Sequence, residues 1–256
     1  MTAPIPRDIP DLPALPRTRP RLPPSAVPAR AVVPLVRRPV AAAYRLTLAL
    51  VATGAVLVEI LLGSPARVLG YFAIQSAVVL AVVMLASARR AWFARHPLPG
   101  AVTGAALLYI VMAALVHHLL LADATPRFSM TTTPAGPSWL APLADHTLHT
   151  VLPVAALLDW LLLSPPARMH LRRAATWLLY PLAYLAFTLA RGELLPGSPS
   201  RYLYPFLDVA RHGYRSVLAN ALLVGLSFYA LAVLLVALDH ARPNPVRRHS
   251  KTGFRL

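Results

Sequence analysis

Apolar runs of roughly 18 residues or more recur along the chain, each long enough to cross the hydrocarbon core of a bilayer as a helix rising about 1.5 Å per residue. They fall near residues 42–62, 69–87, 100–121, 147–164, 173–190 and 217–239. The runs are continuous and rich in leucine and alanine, whereas outer-membrane strands are shorter and alternate between apolar and polar residues. This pattern predicts an all-α polytopic membrane protein with six transmembrane helices. Composition points the same way: 57% of residues are hydrophobic and 13% charged, against about 25% charged in soluble domains.

The runs divide the chain into three parts. Residues 1–39 are dense in proline and arginine, 40–240 carry the six spans, and 241–256 form a second basic tail. Proline at that density blocks helix and sheet, and few large apolar side chains are present to offset the entropy of ordering. The first part reads as a disordered cytoplasmic tail, with a proline-motif ligand as the alternative. No small-residue cleavage site follows the first apolar run, which argues against a secretory signal.

The net charge of +16 raises the question of nucleic acid. The arginines sit in the tails and beside apolar runs, with no basic face or aromatic platform to read bases, so nucleic-acid binding is not expected. Membrane topology and anionic headgroups explain them better. Arg37 and Arg38 precede the first span, Arg89, Arg90 and Arg95 follow the second, Arg168, Arg172 and Arg173 follow the fourth, and Arg242, Arg247, Arg248 and Lys251 close the chain. All lie on one side if both termini are cytoplasmic, and the first two opposite loops hold only Arg67 and Arg127. The loop from 191 to 216 breaks the pattern with four arginines, alongside Glu193 and Asp208. The chain has no cysteine, which excludes disulfides, thiolate catalysis and Cys-based metal sites.

With both termini inside, each span carries a polar group to the same outer layer. Glu59 ends the first, Gln75 and Ser76 open the second, and His117 and His118 end the third. His146 and His149 open the fourth, Thr188 and Arg191 close the fifth, and Asn220 begins the sixth. An acid inside a membrane span costs about 2.5–3.5 kcal/mol at its centre and less near the interface. Glu59 is therefore either paired, with Arg191 as partner, or functional. His117 and His118 are expected at the headgroup boundary, because adjacent helical residues point about 100° apart and cannot both line one pocket.

Asp145 and His149 are four residues apart. If the fourth helix begins by Asp145, the carboxylate lies beside the imidazole and fixes its tautomer, the arrangement that makes histidine a useful base. Pro153 removes a backbone hydrogen bond just below. Asp159 is ten residues further on and belongs to the cytoplasmic boundary, with Arg168 as the expected partner. In the fifth span Thr176, Tyr180, Tyr184 and Thr188 recur every four residues along one stripe. The stripe either bridges to a neighbouring helix or forms a partly polar wall for an amphiphilic ligand.

These residues carry a resemblance. Asp145-x3-His149-x3-Pro153 with Asp159-Trp160, then Tyr180-Pro181-x2-Tyr184, then Tyr204-Pro205-Phe206-Leu207-Asp208 with Gly213-Tyr214, resembles the FAR-17a/AIG-like (androgen-induced-gene) membrane proteins. It is most similar to their actinobacterial branch of six-helix proteins and spans about residues 42 to 240. Some animal members hydrolyse fatty-acid esters of hydroxy fatty acids with an intramembrane threonine and a histidine. The resemblance places that histidine at His149, with His146 upstream, and the threonine at Ala73, which has no hydroxyl. Ser76 lies three residues on, on nearly the same helix face, as a substitute nucleophile.

Three functions fit these residues. One is a membrane protein that binds a lipid or fatty-acyl ligand in an outer-leaflet pocket of Glu59, Gln75, Tyr184, Thr188 and Asn220. A second is a lipid-ester hydrolase, with Ser76 as nucleophile, His149 as base, Asp145 orienting it and Gln75 or Asn220 donating to the oxyanion. The third is a metal site or proton pathway built from Glu59, Asp145, His146 and His149. No cofactor motif is present and no metal is assigned by a sequence motif; membrane lipids and a small amphiphile are the expected partners, and the oligomeric state is left open.

Overall fold

The computed structural model describes residues 36–121, 129–130, 137, 139–196 and 201–242. Apart from residues 36–39, 241 and 242, the two expected tails lie outside the described residues. Among the described residues the fold is all-α, built on six principal helices. These are α1 (Pro39–Leu62), α2 (Phe72–Trp92), α3 (Gly100–Leu121), α4 (Leu140–Leu163), α5 (Leu179–Leu194) and α6 (Val209–Ala241). Short helical turns at Pro65–Val68, Arg172–Trp177 and Pro205–Leu207 join them.

Five of the helices, all but α5, are long and apolar enough to cross a membrane. The chain is thus a membrane-embedded helical protein. The fifth expected span is divided into Arg172–Trp177 and α5, with Leu178 between them. Pro181 is the physical reason. It has no N–H to give the carbonyl of Trp177 one turn earlier, and the Tyr109 hydroxyl of α3 donates to that carbonyl instead, at 3.0 Å.

α1 begins at Pro39, three residues before the expected start, because proline suits the first helical position. α1 packs along α2 through small side chains: Ala41, Ala42, Ala49, Ala52 and Ala55 face Ala73, Ala77, Ser87 and Ala88 among the buried residues of the pair. Small residues let membrane helices approach closely, where apolar side chains gain nothing over lipid by mere burial. The larger residues point outward, as Leu50, Leu57 and Leu61 do on α1 and Leu222, Leu223 and Leu226 on α6. An apolar outer surface is what a bilayer requires.

Two helices depart from α geometry at polar residues. α3 ends in a π turn over His117–Leu121, and α4 contains π turns over Thr147–Val151 and Asp159–Leu163. Such wide turns shift the side chains that follow and recur at functional positions. Pro153 brings no N–H to the turn beneath His149, whose carbonyl accepts a hydrogen bond from His118 Nε2 at 3.2 Å. α6 has one break, at Gly213, where φ is +72°.

Candidate functional site

The polar side chains gather at the two ends of the bundle. At the end where α1 begins, Asp159 is buried in the last π turn of α4 and accepts from Arg45 Nε at 2.7 Å. Ser164 Oγ bridges the pair, donating to Asp159 Oδ2 at 3.0 Å and accepting from Arg45 at 3.0 Å. Arg45 thus takes the place expected for Arg168, because α1 runs directly past the end of α4. Nearby, Asp239 accepts from the backbone N–H groups of Ala167 and Met169, which leaves Arg168 in a left-handed turn at φ +49°. Arg242 pairs with Asp239 and lies over the Trp160 ring, 4.3 Å from its centroid. Burial pulls its guanidinium below the ordinary arginine value, while Asp239 and Asp159 act in the opposite sense. This layer is a closed, satisfied network and holds the bundle ends together.

The opposite end is chemically different. His117 of α3 and Asp145 and His149 of α4 bring one donor atom each to within 4.8 Å of one another. The helix begins at Leu140, so Asp145 and His149 share a face, as their spacing requires. His149 is 4% exposed, and its Nδ1 lies 3.0 Å from the Asp145 backbone carbonyl and 3.0 Å from Asp145 Oδ1. A carbonyl only accepts, so Nδ1 carries the proton and donates. His117 Nε2 is 3.5 Å from the second carboxylate oxygen. The two imidazoles stack, with centroids 4.0 Å apart and planes 13° from parallel. His117 Nδ1 is buried without a hydrogen-bond partner among the described residues.

Glu59, at the end of α1, completes the surroundings. It is 3% exposed and stands within electrostatic range of both Asp145 and His149. The expected ion pair with Arg191 is not formed; among the described residues no hydrogen bond or ion pair reaches the Glu59 carboxylate. Arg191 instead donates to the carbonyl of Arg201.

The other expected site residues are dispersed. His146 is exposed and outside the cluster. Ser76 is fully buried, with no hydrogen bond to its hydroxyl among the described residues, so no bond joins it to His149. Ala73 is buried too. Gln75 is held at both ends, donating to the Leu69 carbonyl at 3.0 Å and accepting from Tyr180 at 2.7 Å. Tyr184 donates to the Gly70 carbonyl at 3.0 Å. Two members of the fifth-span stripe therefore bridge to the region around the start of α2, while Thr176 bonds back to Arg173 in its own turn. The Thr188 hydroxyl is buried and makes no geometric hydrogen bond among the described residues. Asn220 lines a separate cavity beside α6. Glu59, Gln75, Tyr184, Thr188 and Asn220 do not converge on one pocket.

His117 is the residue that sequence reasoning assigned elsewhere. It stands in the cluster with Asp145 and His149, while its neighbour His118 reaches α4 at the His149 carbonyl and the Thr150 hydroxyl. The rings of His117 and His118 meet edge to face at 5.1 Å and 90°. The pair of histidines at the end of an apolar run was the available signal.

Two imidazoles and a carboxylate form a nitrogen and oxygen donor set suited to zinc and to other divalent first-row metals. The buried His/Asp cluster has the composition and spacing to chelate such an ion. Comparison with protein-family models, with curated proteins and with solved structures finds no match to this chain.

Proposed function

We propose that the protein is a multi-pass membrane protein that binds a divalent transition-metal ion between α3 and α4, with both termini cytoplasmic and the site towards the outer leaflet. The observation that supports this reading is the meeting of His117, Asp145 and His149 within 4.8 Å. Charge balance adds to it. Asp145, whose side chain is 37% exposed, and the buried Glu59 bring two carboxylates to one end of the bundle, and no cationic side chain pairs with Glu59 among the described residues. A divalent ion neutralises both, which a low-dielectric setting strongly favours. Neutral His149, with its Nδ1–H held by Asp145, would offer the lone pair of the other ring nitrogen to the metal. Binding also tilts His117 out of its stack, because a metal bond lies in the plane of each ring and two parallel planes do not meet.

Elemental analysis of the protein, purified in detergent without a histidine tag and dialysed against trace zinc, tests this. About one equivalent of metal is expected, falling to background in His117→Ala and His149→Ala variants that keep their helical circular dichroism. Absence of stoichiometric metal from the wild type refutes the reading.

We also hold the kinship with the FAR-17a/AIG-like proteins as a proposal, supported by the order and spacing of its motifs alone. Under it the esterase alternative has its own readout. A fluorophosphonate probe that labels the protein and no longer labels Ser76→Ala would favour a serine hydrolase over a metal centre.

A further inference from the structure

α6 is the span least covered by protein: 17% of its most apolar window is buried, against 61% for α2. Two cavities follow it. One of about 580 Å³ lies between α6 and the fifth-span helices, lined by apolar side chains such as Leu182, Leu185 and Leu222. One of about 410 Å³ lies on the α3 side, bordered by Leu115, Leu119 and Leu223. Val116, Phe206, Val224 and Phe228 line both, so the two adjoin as one cleft. At Gly225 a Cβ would meet nothing within 4 Å, which leaves the backbone of α6 open to the larger cavity.

Polar chemistry enters this cleft at Asn220. Its carboxamide, two N–H donors and a carbonyl, borders the smaller cavity with no hydrogen bond among the described residues. An amide left bare in hydrocarbon is costly, so an occupant able to bond with it is favoured. Depth identifies the group. Asp239 belongs to the polar layer at one boundary, and a hydrocarbon core of about 30 Å takes about 20 helical residues. Counting back from Asp239 reaches residues 219–220, so Asn220 stands at the other boundary, where the ester linkages of bilayer lipids lie.

We propose that this cleft is a binding site for one glycerolipid from the surrounding bilayer. An acyl chain fills the larger cavity against Gly225, and its ester carbonyl accepts a hydrogen bond from Asn220. The site is separate from the His117–Asp145–His149 cluster and does not depend on metal.

Native mass spectrometry of the full chain, released from a mild detergent and followed by lipid identification, provides the test. One glycerolipid per chain is expected on the wild type. Gly225→Leu projects into the cavity from a Cβ that meets nothing within 4 Å and improves helix propensity, so the protein should keep its melting temperature while lipid occupancy falls at least tenfold. Asn220→Leu should lower occupancy severalfold. Gly54→Leu is the control, since that glycine also faces open space but lies on α1; its lipid content should equal the wild type's, and metal content should be unchanged throughout. Equal lipid retention by Gly225→Leu and the wild type overturns the proposal. A free fatty acid, detergent alone or a second copy of the chain in place of the glycerolipid overturns it as well.

Discussion

His117 and His149 stack face to face, centroids 4.0 Å apart, although 32 positions separate them in sequence and they sit on different helices. Only His149 is fixed: Asp145 holds its Nδ1 through both a backbone carbonyl and a carboxylate oxygen. His117, 16% exposed at its side chain and unbonded at Nδ1, is the ring able to turn. On the metal-binding reading proposed above, the held ring of His149 and the less constrained ring of His117 would be the two nitrogen ligands.

Asp145 is both a donor to the ion and the group that orients His149. Asp145→Asn should therefore weaken zinc binding by about 10- to 100-fold or more, measured by isothermal titration in detergent. Proton competition gives a second readout: a protonated imidazole or carboxyl group cannot ligate, so apparent zinc affinity should fall as the solution is acidified.

Glu59 contributes charge rather than geometry. Glu59→Gln keeps shape and removes one of the two negative charges. The metal-free protein should melt no lower than the wild type, and up to about 1 kcal/mol more stably, because a buried unpaired carboxylate has been deleted. Zinc affinity should fall. Stabilisation of the metal-free form together with loss of affinity separates charge balance from a packing role, which would lower both.

Much of this was legible in the chain and some of it was not. Five of the six expected spans were, because a run such as 100–121 leaves only a membrane helix as an outcome. The Asp145–His149 contact was, because four residues on a helix bring two side chains to one face. His117 was not: its partner is set by how α3 and α4 pack and by two π turns, and neither is encoded in local periodicity. Arg45 was missed as the partner of Asp159 for the same reason, being 114 residues away. The division of the fifth span could have been suspected from Pro181, but its exact effect depends on the Tyr109 hydroxyl of another helix.

The Arg45–Asp159 pair is buried on both sides, with side chains 8% and 4% exposed. Removing one partner leaves an uncompensated charge, so Arg45→Ala or Asp159→Ala should lower stability by about 3–5 kcal/mol. The double replacement Arg45→Met with Asp159→Leu should cost less than either single change, since no charge is stranded. Thermal unfolding in detergent, followed by circular dichroism, measures all three. Near-zero loss in the single variants would mean that the pair is hydrated and contributes no more than a surface ion pair.

Tyr109 and Pro181 form a unit that can be taken apart in two steps. Because Pro181 cannot donate, the Trp177 carbonyl depends on the Tyr109 hydroxyl at 3.0 Å. Tyr109→Phe removes that donor inside the bundle and should destabilise the protein by about 1–3 kcal/mol, the range for a buried acceptor left bare. Pro181→Ala returns an N–H one turn after Trp177, where α-helical geometry directs it to the same carbonyl. In the combined variant the loss should be smaller than in Tyr109→Phe alone, and the break at Leu178 should close into a continuous helix. Amide hydrogen exchange at residue 181 reads that closure directly: protection in the combined variant supports the compensation, and rapid exchange there shows that the break has another cause.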